Sequence, residues 1–242
     1  MGKCMETLLT YLKEEQFDIL SFQEVSGGEI SFDKSNTFQK IIDLGYDGEI
    51  SVTWRYKDKP HSFFGSSVFF KPAFTLLNKK EIWLKDYMEI ETLEGFKSEE
   101  FPKSALSVTL ENEGKKFEII STHLAWSPRA TDTPEKLRQA EIFRTYMTER
   151  HLPFILSGDF NVTPDTKVSS MFDHFGRNLT KEHNLKNTLN LRVHRHKEEL
   201  LREGGVAVDY IYVSPTISVT KFSPVDSVDL SDHLGLLLEC EI

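Results

Sequence analysis

Seven strand-length stretches rich in Ile, Val, Leu and Phe recur through the chain, at residues 17–25, 65–70, 104–111, 117–123, 154–157, 208–213 and 234–240. Where such a stretch is apolar on both alternating faces, as at 17–25, it suits a strand covered on both sides better than a half-solvated one. Sheets of this kind need helices or a second sheet packed against them. Met5, Leu8, Leu9 and Leu12 recur at i, i+3, i+4 and i+7, which predicts a leading helix ending near Gln16. Thr133-Pro134, a capping residue followed by proline at the first helical position, opens another helix running through Leu137, Ala140, Phe143 and Met147. Stretches 104–111 and 117–122 flank Asn112-Glu113-Gly114 and read as an antiparallel hairpin, so the sheets are expected to be mixed. Together these patterns predict an α/β chain.

Composition narrows the partners. Twenty-nine Lys and Arg against 38 Asp and Glu leave a formal net charge of −9, so a polyanion meets overall repulsion unless cations are locally concentrated. Cys4 and Cys240 lie at opposite ends without metal spacing or a disulfide framework, which suits a reducing compartment and suggests a cytoplasmic location. No apolar run approaches the roughly 20 residues that span a bilayer. With no internal repeat and no pooled Gly/Pro linker, residues 1–242 read as one domain, expected to be a monomer.

The functional signal is that polar residues cluster where apolar strands end, the rim on which a rigid sheet positions catalytic groups and a loop exposes them. Stretch 17–25 carries Gln23-Glu24 before Gly27-Gly28. Stretch 154–157 runs into Gly158-Asp159-Phe160-Asn161; in extended backbone Asp159 and Asn161 share one side while Phe160 takes the other, and Gly158 lets another backbone or a ligand approach. His123 ends another strand. Asp209 lies inside Val208-Asp209-Tyr210-Ile211, where a buried charge needs a partner, and His233 of Ser231-Asp232-His233 is the candidate, leaving Asp232 free to hold a metal.

In this order, Gln23-Glu24, His123, Gly158-Asp159-Phe160-Asn161, Asp209 and Ser231-Asp232-His233 resemble the endonuclease/exonuclease/phosphatase superfamily across residues 18–240. The resemblance implies a four-layered α/β sandwich of two packed mixed β-sheets flanked by helices, as in deoxyribonuclease I. It further implies Glu24 as principal Mg²⁺ or Mn²⁺ ligand with Asp232 contributing, Asp209 and His233 as the acid and base pair, Asp159 and Asn161 placing water and phosphate, and His123 donating to a phosphoryl oxygen. The implied reaction is hydrolysis of a phosphodiester, of nucleic acid or a small molecule, by in-line attack of water. His233 is preferred as base because its unperturbed pKa lies near neutrality. Members of the family begin with a strand ending in asparagine; here no asparagine precedes Asn36, and that strand is expected to be missing.

Substrate choice lies in loops. Residues 49–63 mix Trp54, Arg55, Tyr56, Lys57, Lys59 and His61, suited to stacking on a base and contacting a phosphate or to a solvated hairpin with one packed tryptophan. Trp126 is expected at the mouth of the site. Residues 181–202 are the basic exception in an acidic chain, with Arg192 and Arg195 the candidate substrate contacts. A sphingomyelinase-like or sugar-phosphate activity, and a non-catalytic binding module of the same fold, are the alternatives.

Overall fold

The computed structural model describes residues 2–30, 36–96, 100–194 and 204–242. Its elements run α1 (Gly2–Glu15), β1 (Ile19–Gly27), α2 (Thr37–Ile42), β2 (Asp47–Tyr56), β3 (Phe63–Phe70), β4 (Thr75–Lys85), β5 (Met88–Ile90), β6 (Lys103–Asn112) and β7 (Lys115–His123). They continue with α3 (Pro134–Thr148), β8 (Phe154–Asp159), α4 (Lys167–Phe172), β9 (Arg177–Asn178), α5 (Leu179–Glu182), β10 (Asp209–Val213), β11 (Ser218–Val225) and β12 (Gly235–Glu241).

Helices α1 and α2 cover one sheet, in the order β1-β3-β2-β5, with Leu12, Leu20, Val25, Ile41 and Phe69 packed together. The inner face of that sheet meets a second one, ordered β4-β6-β7-β8-β10-β9, through Val68 and Phe70 against Leu106, Val108, Phe117 and Ile119. On the far side Ala140 and Phe143 of α3 and Val168 and Phe172 of α4 pack on Ile120, Leu156, Tyr210 and Tyr212. Each Leu, Ile or Phe buried this fully contributes about 1.5–3 kcal/mol. The result is helix, sheet, sheet, helix. Both sheets are mixed: β7 runs parallel to β8 and β2 parallel to β5, while β6–β7 form the antiparallel hairpin. Thr133 caps α3 by accepting from the Lys136 backbone N–H, as its sequence predicts.

Three features differ from expectation. Residues 49–63 are not a loop but largely β2 and its turn, and Trp54 is 2% exposed, stacked on Phe64 and packed on Tyr56 and Phe101, so it is core and not a base-stacking platform. Strand β4 escapes detection because it is polar; it forms the edge of the six-stranded sheet, where one face stays in water. Strand β1 is not covered on both faces throughout: Ile19, Ser21 and Phe22 are only half-buried. Among the described residues β1 pairs only with β3, and β12 only with β11, and both open edges border one trough of about 2410 Å³ that extends to the strand-end rim.

Candidate active site

Glu24 owes its position to a defect in β1. The register with β3 slips between Phe22 and Val25, and Glu24 adopts φ 57°, a left-handed conformation that a β-bulge supplies and a regular strand does not. The carboxylate is thereby turned out to the trough with 64% of the side chain exposed, 3.9 Å from His123 Nδ1, while Gln23 is tied inward to Ser121 Oγ at 2.9 Å.

Register places the next three groups. His123 ends β7 opposite Asp159 of β8, and Asp159 lies opposite Asp209 of β10, so one row across three adjacent strands carries all three. Strands are packed about 4.8 Å apart, which sets the pitch of that row. The β7–β8 approach depends on Gly158, where an added Cβ would lie 1.9 Å from the Thr122 carbonyl oxygen; the backbone that the glycine admits is a neighbouring strand. Phe160 turns into the core, against Phe172 and Tyr210. Asp159 and Asn161 do not face each other by extended alternation: Asn161 has φ 52°, and its backbone N–H donates to Asp159 Oδ1 at 2.8 Å. The Asn161 side chain donates to the Leu124 carbonyl at 3.1 Å, locking this turn to the end of β7.

His233 arrives from outside the sheet. An isolated antiparallel bridge pairs it with Leu189, and its Nδ1 lies 2.9 Å from Asp209 Oδ2. Thr188 donates its hydroxyl to the same carboxylate oxygen at 2.5 Å and accepts from the N–H groups of Val208 and Asp209. Among the described residues, ligand atoms of Asp159, Asp209 and His233 converge within 4.8 Å of one another. Glu24 and Asp232 line the same trough but do not join that cluster.

The environment sets different charge states on the two histidines. Burial, followed by the neighbouring Lys103 and His233 charges, holds His123 well below the usual imidazole range, so it is neutral at pH 7; its Nε2 lies 3.6 Å from Asp159 Oδ2. Burial also opposes charge on His233, but Asp209 above all, with Asp159 and Asp232, outweighs it and pushes the group up to about 10. Asp159 is pushed up to about 7 by burial and then by Asp209. The reason for preferring His233 as the base therefore fails: at neutral pH its imidazole already carries the proton, and Asp159 is the group near the operating range.

Trp126 is 42% exposed and lines the trough. Arg192 does not; its Nε donates to Asp229 Oδ1 at 2.6 Å, so an acid of the chain occupies the guanidinium proposed for substrate. Arg195 lies outside the described residues. Two lysines escaped the sequence reading. Lys136 is fully buried and donates to Ser127 Oγ, the Thr131 carbonyl and the Asn161 carbonyl, clamping the Trp126 loop to the Asp159–Asn161 turn. Lys103, the first residue of β6, lines the trough beside Glu24 and Asp159. No local pattern marks either one, because single lysines beside apolar stretches are ordinary surface residues.

The structure resembles an endonuclease/exonuclease/phosphatase from Bacteroides vulgatus at 19% identity, with a TM-score of 0.75 over 98% of this chain and 90% of that one. A mannosyl-6-phosphatase from Bacteroides thetaiotaomicron is similar at 19% identity and TM-score 0.68, over 100% of this chain and 91% of that one. TDP2 from D. rerio, solved with a single-strand DNA product, is similar at 13% identity and TM-score 0.69, over 100% and 92%. At such identities the likeness speaks for the fold alone. A search of curated sequences found no match. The profile of one family, however, matches residues 1–233, nearly the whole length over which the strand-end row is assembled, and the chain belongs to the endonuclease/exonuclease/phosphatase family.

Proposed function

We propose that this protein is a Mg²⁺- or Mn²⁺-dependent phosphoesterase that hydrolyses a phosphodiester by in-line attack of water. The observation that carries the reading is the convergence of Asp159, Asp209 and His233 within 4.8 Å on a rim that also bears His123 and Glu24. The donor set fits a divalent ion. Glu24, Asp159, Asp209 and Asp232 offer hard carboxylate oxygens, and the upward shift of Asp159 beside Asp209 is the signature of negative charge crowded into a desolvated site. Glu24 is the proposed principal ligand, with Asp232 contributing. Bound there, the ion would offset charge developing on the phosphoryl oxygens and the leaving group.

The residues divide the remaining work. Asp159, oriented through Oδ1 by the Asn161 N–H, takes the proton of the attacking water. His233, protonated and held by Asp209, faces the developing phosphoryl charge and is the candidate donor to the leaving oxygen. Neutral His123 donates one hydrogen bond to a phosphoryl oxygen. Trp126 contributes an apolar surface at the mouth for the remainder of the substrate. Nucleic acid, lipid headgroups and sugar phosphates all offer the scissile group. A panel of phosphodiesters and phosphomonoesters with Mg²⁺, Mn²⁺ or EDTA is the test. Glu24→Gln should fold normally and lose most turnover; full activity in that variant or in EDTA would overturn the assignment.

A further inference from the structure

Two lysines are buried near this site, and they differ in one respect. Lys136 satisfies its ammonium with three oxygens of the chain. Lys103 instead reaches the trough: it is 9% exposed, and its ammonium is not one of the buried polar atoms left without a partner. It is not stranded in the core, because it lines the same trough as Glu24, His123 and Asp159. The charged groups acting on it are Glu24 and Asp159, which favour its charge, and Lys85, its cross-strand partner on β4, which opposes it. Its own charge in turn disfavours protonation of His123. A cation held among these groups is placed to meet an anion that binds between them.

We infer that Lys103 is a substrate-binding residue, donating a charge-assisted hydrogen bond to a non-bridging oxygen of the phosphoryl group seated at His123 and Asp159. The inference rests on the phosphoesterase reading and deepens it. A phosphoryl oxygen seated in the trough would offer the ammonium a short, charge-assisted acceptor. Strand β6 makes the placement rigid: Lys103 begins a strand paired on both sides, by β4 and β7, and the adjacent Ser104 is fixed through Oγ to Ser51 Oγ at 2.8 Å.

Inorganic phosphate is the probe. Lys103→Met keeps the length of the stem and removes the charge. It should weaken competitive inhibition by phosphate and lower kcat/KM for a small phosphodiester, each about 10- to 100-fold, the range for one hydrogen bond to a charged group. Lys103→Arg should recover much of the loss, which a purely structural role does not predict. In the wild-type protein, phosphate should shift the resonance of the Lys103 ε-methylene. Unchanged inhibition and kcat/KM in Lys103→Met, or a Lys103 resonance indifferent to phosphate, would overturn the inference. Should Lys103→Met fail to fold, the wild-type resonance decides alone. A wild type inactive on every ester defeats the phosphoesterase reading, and the resonance still reports whether the lysine binds the anion.

Discussion

His233 and Asp159 illustrate how one rim drives two groups in the same direction for different reasons: a carboxylate partner holds the proton on the imidazole, while desolvation and a second carboxylate hold it on the acid. Each binds its proton more tightly folded than unfolded. The stability contributed by Asp159 is complete below its unfolded pKa of about 3.9 and is lost as pH rises to about 7. That from His233 is complete below about 6.5 and is lost as pH rises through about 10. In EDTA the melting temperature should therefore fall between pH 7 and pH 10, and Asp209→Asn should flatten the fall; a melting temperature that rises over that window contradicts the charge assignment. The same pair should act as a unit. Asp209→Asn and His233→Asn should each reduce kcat strongly, and the double variant little further. Additive losses in the double-variant cycle would separate the two. The Asp209–His233 pairing was legible in the sequence because a carboxylate inside an apolar strand demands a partner; the direction of each group's pKa shift was not, because it depends on burial.

At the level of elements, the row His123, Asp159, Asp209 depends on how closely β7, β8 and β10 approach. Gly158→Ala puts a methyl against the Thr122 carbonyl, so one strand must move. Its cost should be about 3 kcal/mol or more in chemical denaturation, the range for strain that a packed sheet cannot relax. Activity should fall with it, since the shift carries Asp159 away from His123. A variant of wild-type stability would show that the sheet is more compliant than its register implies. Strands rich in Ile, Val and Phe announced themselves, and so did the Thr133-Pro134 start of α3. Strand β2 did not, because Trp54, Arg55 and Tyr56 read as an exposed aromatic and basic mixture until β3, β5 and Phe101 cover the tryptophan. The bulge that turns Glu24 outward is likewise a product of pairing with β3.

Across the whole molecule the charge balance is −9, and part of the basic stretch near Asp209 is neutralised internally, by Arg192 with Asp229 and Lys181 with Asp173. Among the described residues that distribution forms no broad cationic track for a polyanion. For an oligonucleotide substrate, kcat/KM should be flat or should rise as salt increases from about 20 to 200 mM, because added salt screens net repulsion. A steep decline would instead reveal several phosphate contacts released by salt. For a small phosphodiester with a single charge the dependence should be weak. Among the described residues no helix is long and apolar enough to cross a membrane.

The layered architecture followed from a family resemblance; what the amino-acid order determined by itself is the alternation of apolar strands with polar ends and the places of Glu24, His123, Asp159, Asn161, Asp209 and His233 along it. Such features are local: a strand needs its own apolar residues, and a carboxylate inside one needs a partner whatever surrounds it. Tertiary structure alone decided which groups favour charge, which lysine reaches the trough, and which aromatic is surface. Lys103 and Lys136 are indistinguishable as letters, and Trp54 and Trp126 nearly so. Their roles separate only when distant strands and loops set the burial and the neighbours of each, because desolvation and Coulomb interaction are properties of a place in the fold and not of a residue type.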